Sequence, residues 1–355
     1  MRAVFVVGWM ALTACRAHFD LIGDAGDGDG DGDATDGDGG TDAGDRPNRV
    51  FITSTSYPAS FGGVTAADGF CQERADAKSL GGTFIALLGE NARPESRLAG
   101  SRGWVDLAGN AIVDEPATWL DGYMFHPLRI DEDGTDLGYV IAWVGSIYSC
   151  ASWSIVTPGE MGSVVVSADA WGAYTVQGCN QQGHLVCAET GHVAPQMPPT
   201  VAGRIAFVTI TNWLPGGGRS SADTFCMAEA TANNRAGTYH ALLTTSTEAP
   251  FAQFSKTAPT WVRPDGLALS SSAAELASGA TQWLSSFPHV RADGTRYPYV
   301  NTWSGNATVN CNDWNSASAG QMGGIGSPAS SRRDIWLDTY TDSCDVARPI
   351  TCLQD

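Results

Sequence analysis

The sequence predicts an α+β protein in which two domains of like structure, each stabilised by disulfide bonds, follow a disordered tether rich in Asp and Gly. Three observations support this prediction. The 355 residues contain an internal repeat, eight of the nine cysteines divide equally between its two copies, and nine Asp and eight Gly fall within residues 24–45. A chain of this length is long enough for two or three domains that each bury a core.

The charge balance argues against two classes of partner. The chain has 38 acidic and 20 basic residues, a formal net charge of −18. Nucleic-acid binding depends on clustered Lys and Arg that neutralise phosphates, so we expect no nucleic-acid partner. A polybasic attachment to anionic lipid is disfavoured for the same reason. Hydrophobic residues make up 43% of the chain, which is typical of a globular protein.

Residues 1–14 have the pattern of a secretory signal peptide. Arg2 precedes an apolar run over residues 3–14, which as a helix would be about 18 Å long and too short for a hydrocarbon core of about 30 Å. The segment Leu12-Thr13-Ala14-Cys15 resembles the bacterial lipobox. This resemblance implies that Cys15 is lipidated and begins the mature chain. The alternative is an ordinary signal peptide beside a fortuitous cysteine.

Residues 15–47 are predicted to be the lipid anchor and a flexible tether, because an Asp/Gly repeat cannot bury apolar surface and its charges repel one another. A calcium-binding loop is the alternative, since four of the acids have the ligand spacing of an EF-hand. These are Asp27, Asp29, Asp31 and Asp38. The flanks lack helical periodicity, so we favour the tether and predict no cofactor.

The two copies of the repeat predict domains at residues 48–190 and 203–355, joined by a Pro-rich linker at residues 191–202. Motifs recur in the same order in both copies, which is the mark of a duplication. The matched motifs are Ala67-Asp68-Gly69-Phe70-Cys71 with Ala222-Asp223-Thr224-Phe225-Cys226, Gly82-Thr83-Phe84 with Gly237-Thr238-Tyr239, Cys150 and Trp153 with Cys311 and Trp314, and Trp171 with Trp336.

Each copy is predicted to begin with a β-strand and to continue with a helix. Thr65 and Ser220 each stand three residues before an aspartate, an approximate capping box that predicts the helix start. Glycines at 81–82 and at 237 predict the helix ends. The T-[FY]-x-A-L-L segment that follows is predicted to be a buried strand. Later segments predict small sheets, and we interpret their matched tryptophans as core rather than as a sugar-binding platform.

Nine cysteines are an odd number for an exported protein. If Cys15 is lipidated, four remain in each copy. Export favours oxidation, so we predict structural disulfides rather than a metal site. Four cysteines allow three pairings, and the residues alone leave this choice open.

These motifs together resemble the endostatin-like branch of the C-type-lectin-like superfamily, which is also found in surface lipoproteins of myxobacteria and leptospires. The resemblance rests on the A-D-x-x-C helix, the G-T-[FY]-x-A-L-L strand, the cysteine followed by tryptophan, and the eight-residue step between the last two cysteines. It covers nearly all of residues 49–354. It implies the nested pairs Cys71–Cys187, Cys150–Cys179, Cys226–Cys352 and Cys311–Cys344.

The metal sites of related proteins are not matched. Calcium-dependent lectins use a carboxamide pair beside a proline, whereas Glu115-Pro116-Ala117 lacks the amide. In the region of the lectin W-N-D motif only Asp338 offers a ligand group. Endostatin binds zinc through histidines near its amino end, and residues 49–57 and 204–213 contain none. We therefore predict no metal site in either domain.

Candidate ligand contacts fall in the second domain, which has 12 acidic and 10 basic residues against 16 and 7 in the first. Trp213 lies beside a Pro-Gly-rich segment and is the preferred single contact if its side chain is exposed. The candidate anion contacts are Arg291, Arg296, Arg332 and Arg333. A solvated face is the alternative interpretation of these arginines.

The sequence contains none of the G-x-S-x-G, P-loop, G-x-G-x-x-G or S-x-x-K motifs, and we predict no enzyme. We expect an outer-membrane lipoprotein, on the periplasmic or the surface face, that binds an extracellular protein or polysaccharide. One alternative is a carbohydrate-active enzyme that uses the acids at 131–133 or 114–115. The other is a purely structural envelope or matrix protein.

Overall fold

The computed structural model describes residues 46–90, 92–145, 148–155, 157–171, 175–297 and 300–355. The predicted signal peptide, Cys15 and the candidate calcium ligands Asp27, Asp29, Asp31 and Asp38 lie outside these ranges. Within them the protein is mixed α+β, with three sheets and four disulfides. Among the helices of these ranges, none has both the length and the apolar character that crossing a bilayer requires.

The first half, residues 48–190, is built on one sheet. Its elements are β1 Asn48–Ile52, β2 Tyr57–Pro58, α1 Val64–Ala77, β3 Thr83–Ala86, β4 Trp104–Asp106, β5 Ala111–Val113, β6 Ile141–Trp143, α2 Cys150–Trp153, β7 Met161–Val166, β8 Thr175–Gly178 and β9 Gln182–Thr190. The strand order is β5-β4-β1-β9-β6-β7-β8, and β2 and β3 also pair with β9. Strand β9 is therefore the centre of this half.

The second half, residues 203–355, contains two smaller sheets. Its elements are β10 Arg204–Val208, α3 Gly218–Ala232, β11 Tyr239–Ala241, β12 Trp261–Val262, α4 Ala273–Ser278, β13 Thr302–Trp303, β14 Met322–Gly326, α5 Arg333–Leu337, β15 Tyr340–Ser343 and β16 Thr351–Gln354. One sheet has the order β11-β16-β10-β12 and the other β13-β14-β15.

The two halves share the same central strand pairing. In the antiparallel pair β1·β9, Phe51 lies opposite Cys187, and in β10·β16, Phe207 lies opposite Cys352. The predicted opening strands and the strand of the T-[FY]-x-A-L-L motif are present in both halves. Residues can therefore be matched between the halves by strand register as well as by motif.

Four disulfides close the two halves separately. The bonded pairs are Cys71–Cys187, Cys150–Cys179, Cys226–Cys352 and Cys311–Cys344, the same pairs that the family resemblance implies. The outer bond of each half joins its first helix to its last strand across 116 or 126 residues. On the chain-entropy account, a loop of this length contributes about 5 kcal/mol to the free energy of unfolding.

The predicted capping boxes are wrong. Helix α1 begins after Gly63 and α3 after Gly217, and neither start has a side-chain cap. Asp68 instead accepts a hydrogen bond from the backbone N–H of Ala86 at 2.9 Å. Asp223 accepts the equivalent bond from Ala241 at 2.7 Å. The aspartate of the A-D-x-x-C motif therefore joins the helix to the following strand rather than capping the helix.

The predicted glycine stops are also displaced. Helix α1 ends at Ala77, and Ser79 rather than Gly81 is the first residue after it with positive φ, at 54°. Gly82 has another role, because a Cβ there would collide with the Glu189 carboxylate. Gly237 is restricted in the same way by Gln354. These glycines let the last strand of each half pass close to the loop after the helix.

The matched tryptophans are core residues. Nine tryptophan side chains are less than 2% exposed: Trp104, Trp119, Trp143, Trp153, Trp171, Trp261, Trp303, Trp314 and Trp336. Their rings pack edge-on or tilted against one another, as in Trp143–Trp153 and Trp303–Trp314. They cannot form an exposed sugar platform.

The cysteine–tryptophan motif forms a left-handed turn in both halves. Residues Cys150–Trp153 have φ between 48° and 61°, and Cys311–Trp314 have φ between 51° and 65°. This conformation costs about 1–2 kcal/mol per residue for non-glycine residues. Anchoring offsets the cost: the cysteine is in a disulfide, and the indole N–H of Trp153 donates to Gly89 O at 3.0 Å. In the second half Trp314 donates to Thr244 O at 2.8 Å.

The two halves are packed together through matched segments. Ala170 N donates to Ala329 O and Ser331 N donates to Ala168 O, both at 2.7 Å. By register with Trp143 and Trp303, Ala168 is the counterpart of Ala329. The same segment of each half therefore contacts the other half, as in an isologous dimer interface.

A second contact between the halves lies beside the first. The Arg129 guanidinium stacks 4.7 Å from the Trp283 ring, while His289, the counterpart of Arg129, is fully buried. Burial, followed by the nearby cations Arg263 and Arg296, lowers the pKa of His289 well below its ordinary value. A neutral imidazole can be packed here at less cost than a charged one.

We expect Phe287→Ala to uncouple the halves, because Phe287 is fully buried within the apolar core of the first half. The free energy of unfolding should fall by about 3–5 kcal/mol. Hydrogen exchange should rise at residues 168–170 of the first half. Phe254→Ala is the control, because Phe254 packs within the second half alone. Unchanged exchange at 168–170 in the Phe287 variant would contradict this account of the interface.

A buried carboxylate, that of Glu189, lies near the end of the central strand β9. Glu189 accepts hydrogen bonds from Arg46 at 2.6 and 2.9 Å and from the Arg49 side chain at 2.8 and 2.9 Å. Burial opposes ionisation, but these bonds outweigh it and lower the pKa of Glu189 to about 2. In the second half Gln354 accepts from Ile205 N and donates to Ala236 O.

Glu189→Gln should destabilise the chain by about 3 kcal/mol, because it leaves Arg49 half-buried without its charge partner. Adding Arg49→Ile copies the second half and should recover much of this loss, which denaturant titration of the single and double variants can measure. Because the folded pKa of Glu189 is lowered, its contribution is present above about pH 4.5 and is lost as pH falls towards 2. Equal free energies of unfolding for the single and double variants would contradict the idea that an unpaired Arg49 causes the loss.

Candidate functional site

The second half has a polar concavity of about 600 Å³. We call it the Arg291 concavity and define it by Asn212, Arg291, Tyr297, Asn301 and Arg348, which line it. Among the lining residues that the structure describes, none is acidic. Of the arginines predicted as anion contacts, Arg291 alone lines it.

A tight turn positions Arg291. Its backbone pairs in parallel with Val208 at the end of β10. Arg291 N donates to Thr295 O at 2.8 Å, and Gly294 N donates to Arg291 O at 2.9 Å. Gly294 has a φ of 90°, which favours glycine at this position. The Asp-Gly-Thr motif thus fixes the backbone from which the arginine side chain projects.

The Arg291 guanidinium forms no ion pair with any acid among the residues that the structure describes. It lies 3.8 Å from the centre of the Tyr297 ring, a cation–π contact. Its Nε atom is buried and makes no hydrogen bond with any residue that the structure describes. Tyr297 itself is 37% exposed. The ring therefore supports one face of the guanidinium.

Arg348 is paired with an acidic residue of the second half. Its Nε donates to Asp342 at 2.7 Å, and its Nη2 contacts the same carboxylate. Burial would raise the pKa of Asp342, but the Arg348 hydrogen bonds outweigh it and lower that pKa. Of the two arginines in the concavity, Arg348 is in an ion pair, whereas Arg291 forms none with the described acids and acts on Asp293 only over a longer distance.

The first half has no such cation. The matched turn places Asp131 at the position of Arg291, with the same parallel pairing to β1. Asp131 is 3% exposed, and its carboxylate accepts from Asp133 N at 2.9 Å and Thr135 N at 2.8 Å. In the second half the side chain of Asp293 accepts from Thr295 N instead. In the first half Asp131 accepts the bond from Thr135 N, and in the second half the matched bond from Thr295 N is therefore accepted by Asp293 and not by the side chain of Arg291.

Three of the acids named in the hydrolase alternative, Asp131, Glu132 and Asp114, make contacts within the protein. Glu132 is 4% exposed and accepts from the Ser54 N–H and hydroxyl at 2.7 and 2.6 Å. The matched loop in the second half is held from helix α3 by Glu229. Asp114 is paired with Arg102, whose hydrogen bonds, opposed by burial, contribute to a lowered pKa of Asp114.

Trp213 does not meet the condition for a contact residue. It is 4% exposed, and its ring lies 6.0 Å from that of Trp314. Its backbone pairs with Arg348, as Tyr57 pairs with Gly183 in the first half. Tyr57 is therefore the aromatic counterpart of Trp213 in the first half. Trp213 belongs to the core cluster of its half, and Tyr57 packs against the core of the other.

The other three predicted arginines make contacts within the protein. Arg296 contacts Asp265 and the carbonyl of Tyr123 between the halves, where burial, followed by Arg263, lowers its pKa to about 10. Arg332 is paired with Asp334. Arg333 donates to Leu276 O at 2.8 Å. None of the three lines the concavity.

Asn212, Tyr297, Asn301 and Arg348 were not predicted. The available signal was the difference between the copies: Asp133-Gly134-Thr135 matches Asp293-Gly294-Thr295 in the sequence, and this match aligns Asp131 with Arg291. In the part of the chain that the structure describes, no group of three or more Asp, Glu, His or Cys is arranged to hold a metal ion.

Comparison with known proteins leaves the family open. No family model matches the chain, and no curated protein shows significant similarity to it.

Stability measurements should separate core from site. We expect Trp213→Ala to cost about 3–5 kcal/mol, because it empties a buried aromatic position. Arg291→Ala should cost less than about 1 kcal/mol, the usual size of a partly exposed cation–π contact. Urea unfolding of both variants measures the difference. A larger loss for Arg291→Ala would make Arg291 a structural residue.

Proposed function

We propose that this chain is an exported, non-catalytic binding protein that is anchored by lipid at Cys15 and displays two endostatin-like modules of the C-type-lectin-like superfamily. The Asp/Gly tether predicted at residues 15–47 would hold the modules away from an outer membrane. The intradomain disulfides support an oxidising compartment. The nested pairs also support the family resemblance.

One observation carries the binding role. Arg291 lines a concavity of about 600 Å³ and stands in no ion pair with an acid that the structure describes. A guanidinium in this position can pair with an acceptor group of a bound ligand. We propose that an extracellular protein or polysaccharide places an acceptor group there. The structural roles of Asp131, Glu132 and Asp114 support binding over hydrolysis.

The test is an array of glycans and matrix proteins probed with the full chain, with and without EDTA. We expect a retained ligand in both conditions, and we expect Arg291→Gln to abolish most of the signal. Lys256→Gln is the matched control, because it removes the same charge at an exposed position outside the concavity. A ligand that is bound equally by the Arg291 variant would overturn the assignment of this site.

Catalytic turnover is measured on the same ligands. Cleavage of a bound glycan that stops on mutation of an acidic residue would refute the non-catalytic role. Unchanged glycan after long incubation would support it.

A further inference from the structure

We infer that the Arg291 concavity takes a saccharide with an isolated carboxylate among hydroxyl groups, rather than a densely charged polyanion. This inference rests on the proposed function, because it assigns a ligand class to the same site. It also assigns binding to the second half.

The number of free cations limits the charge of the ligand. Arg348 is paired with Asp342, so Arg291 is the one arginine of the described lining that forms no ion pair with a described acid. A guanidinium offers parallel N–H groups that fit the two oxygens of a carboxylate. The Tyr297 ring at 3.8 Å fixes the guanidinium plane before the ligand arrives. The geometry therefore favours one planar anionic group.

The uncharged groups beside Arg291 fit hydroxyls. Asn212 and Asn301 line the concavity, and an amide both donates and accepts hydrogen bonds. Saccharide hydroxyls have the same double capacity, so vicinal hydroxyls can pair with such amides. An acidic peptide would satisfy Arg291 but offers no hydroxyl pairs for Asn212 and Asn301.

The surroundings disfavour a polyanion. Binding of dense negative charge needs a continuous basic surface. The other arginines of the second half are largely committed to acids, as in Arg219–Glu248, Arg263–Asp265 and Arg332–Asp334. The whole chain has a net charge of −18. Sulfate groups beyond the first would meet repulsion rather than further cations.

The first half serves as an internal comparison. It has the same turn, the same strand pairing and the same disulfide framework, but Asp131 replaces Arg291 and its carboxylate is used by the turn. A carboxylate ligand would be repelled there. We therefore assign one such site to each chain.

The experiment compares four probes on the full chain by calorimetry. They are a tetrasaccharide of alternating glucuronic acid and N-acetylglucosamine, a heparin tetrasaccharide, maltotetraose and triglutamate. We expect the first to bind most tightly and Arg291→Gln to weaken it about tenfold or more, as the loss of a charged hydrogen bond predicts. Lys256→Gln should leave the affinity unchanged. Asn212→Ala should weaken the glucuronate probe while leaving triglutamate unaffected.

The outcomes separate the two proposals. Tighter heparin binding that is lost in the Arg291 variant would overturn the inference on ligand charge but keep the proposed site. Equal binding of triglutamate would overturn the saccharide class and keep the site as well. Tight binding of maltotetraose would show that the carboxylate is dispensable and would overturn the inference. Affinities that are unaffected by Arg291→Gln, here and on the array, would overturn the proposed function itself.

Discussion

The bond between the first helix and the last strand of each half is the constraint on which the rest of the structure depends. Cys71 joins α1 to β9, and Cys226 joins α3 to β16. Much of each half consists of short strands and loops, which by themselves bury little continuous surface. Closing more than one hundred residues into a loop lowers the entropy of the unfolded chain. The fixed strands then provide the edges against which tryptophans, turns and the other half are packed.

On this shared backbone, the two halves use different side chains to make the same contacts. The loop after the first strand is held by Glu132 from another loop in the first half, and by Glu229 from helix α3 in the second. Near the end of its last strand, the first half has an ion pair at Glu189, and the second half has neutral hydrogen bonds at Gln354. In each case the backbone contact is kept while the residue that makes it changes. The framework therefore tolerates exchange of charge at positions close to the central strands.

The sequence predicted what repeats and what is periodic. The opening strands, the strand after the helix and the tryptophan core follow from motifs that occur twice. The repeat also divides the cysteines into two sets of four, but their pairing was implied by the family resemblance and not by the residues alone. It failed where a side chain acts over a long distance. Asp68 looks like a capping residue from its local spacing, but its partner is Ala86, 18 residues away. Trp213 looks isolated because its counterpart is a tyrosine, and only strand pairing reveals Tyr57 as its equivalent. The Pro-rich linker gave no sign that the halves share a core.

Duplication also explains how the residue at one position of a shared turn can change while the turn is kept. In the first half, Asp131 is committed to its turn and cannot be replaced without cost. In the second half, Asp293 accepts from Thr295 N and the backbone bonds of the turn are kept. The turn of the second half therefore does not depend on the side chain at position 291. An arginine there leaves a buried Nε unpaired, which costs free energy in the unbound protein. Because the turn is held by its own backbone and by Asp293, the residue at position 291 can change from an acid to a cation that lines the concavity while the strand pairing is kept.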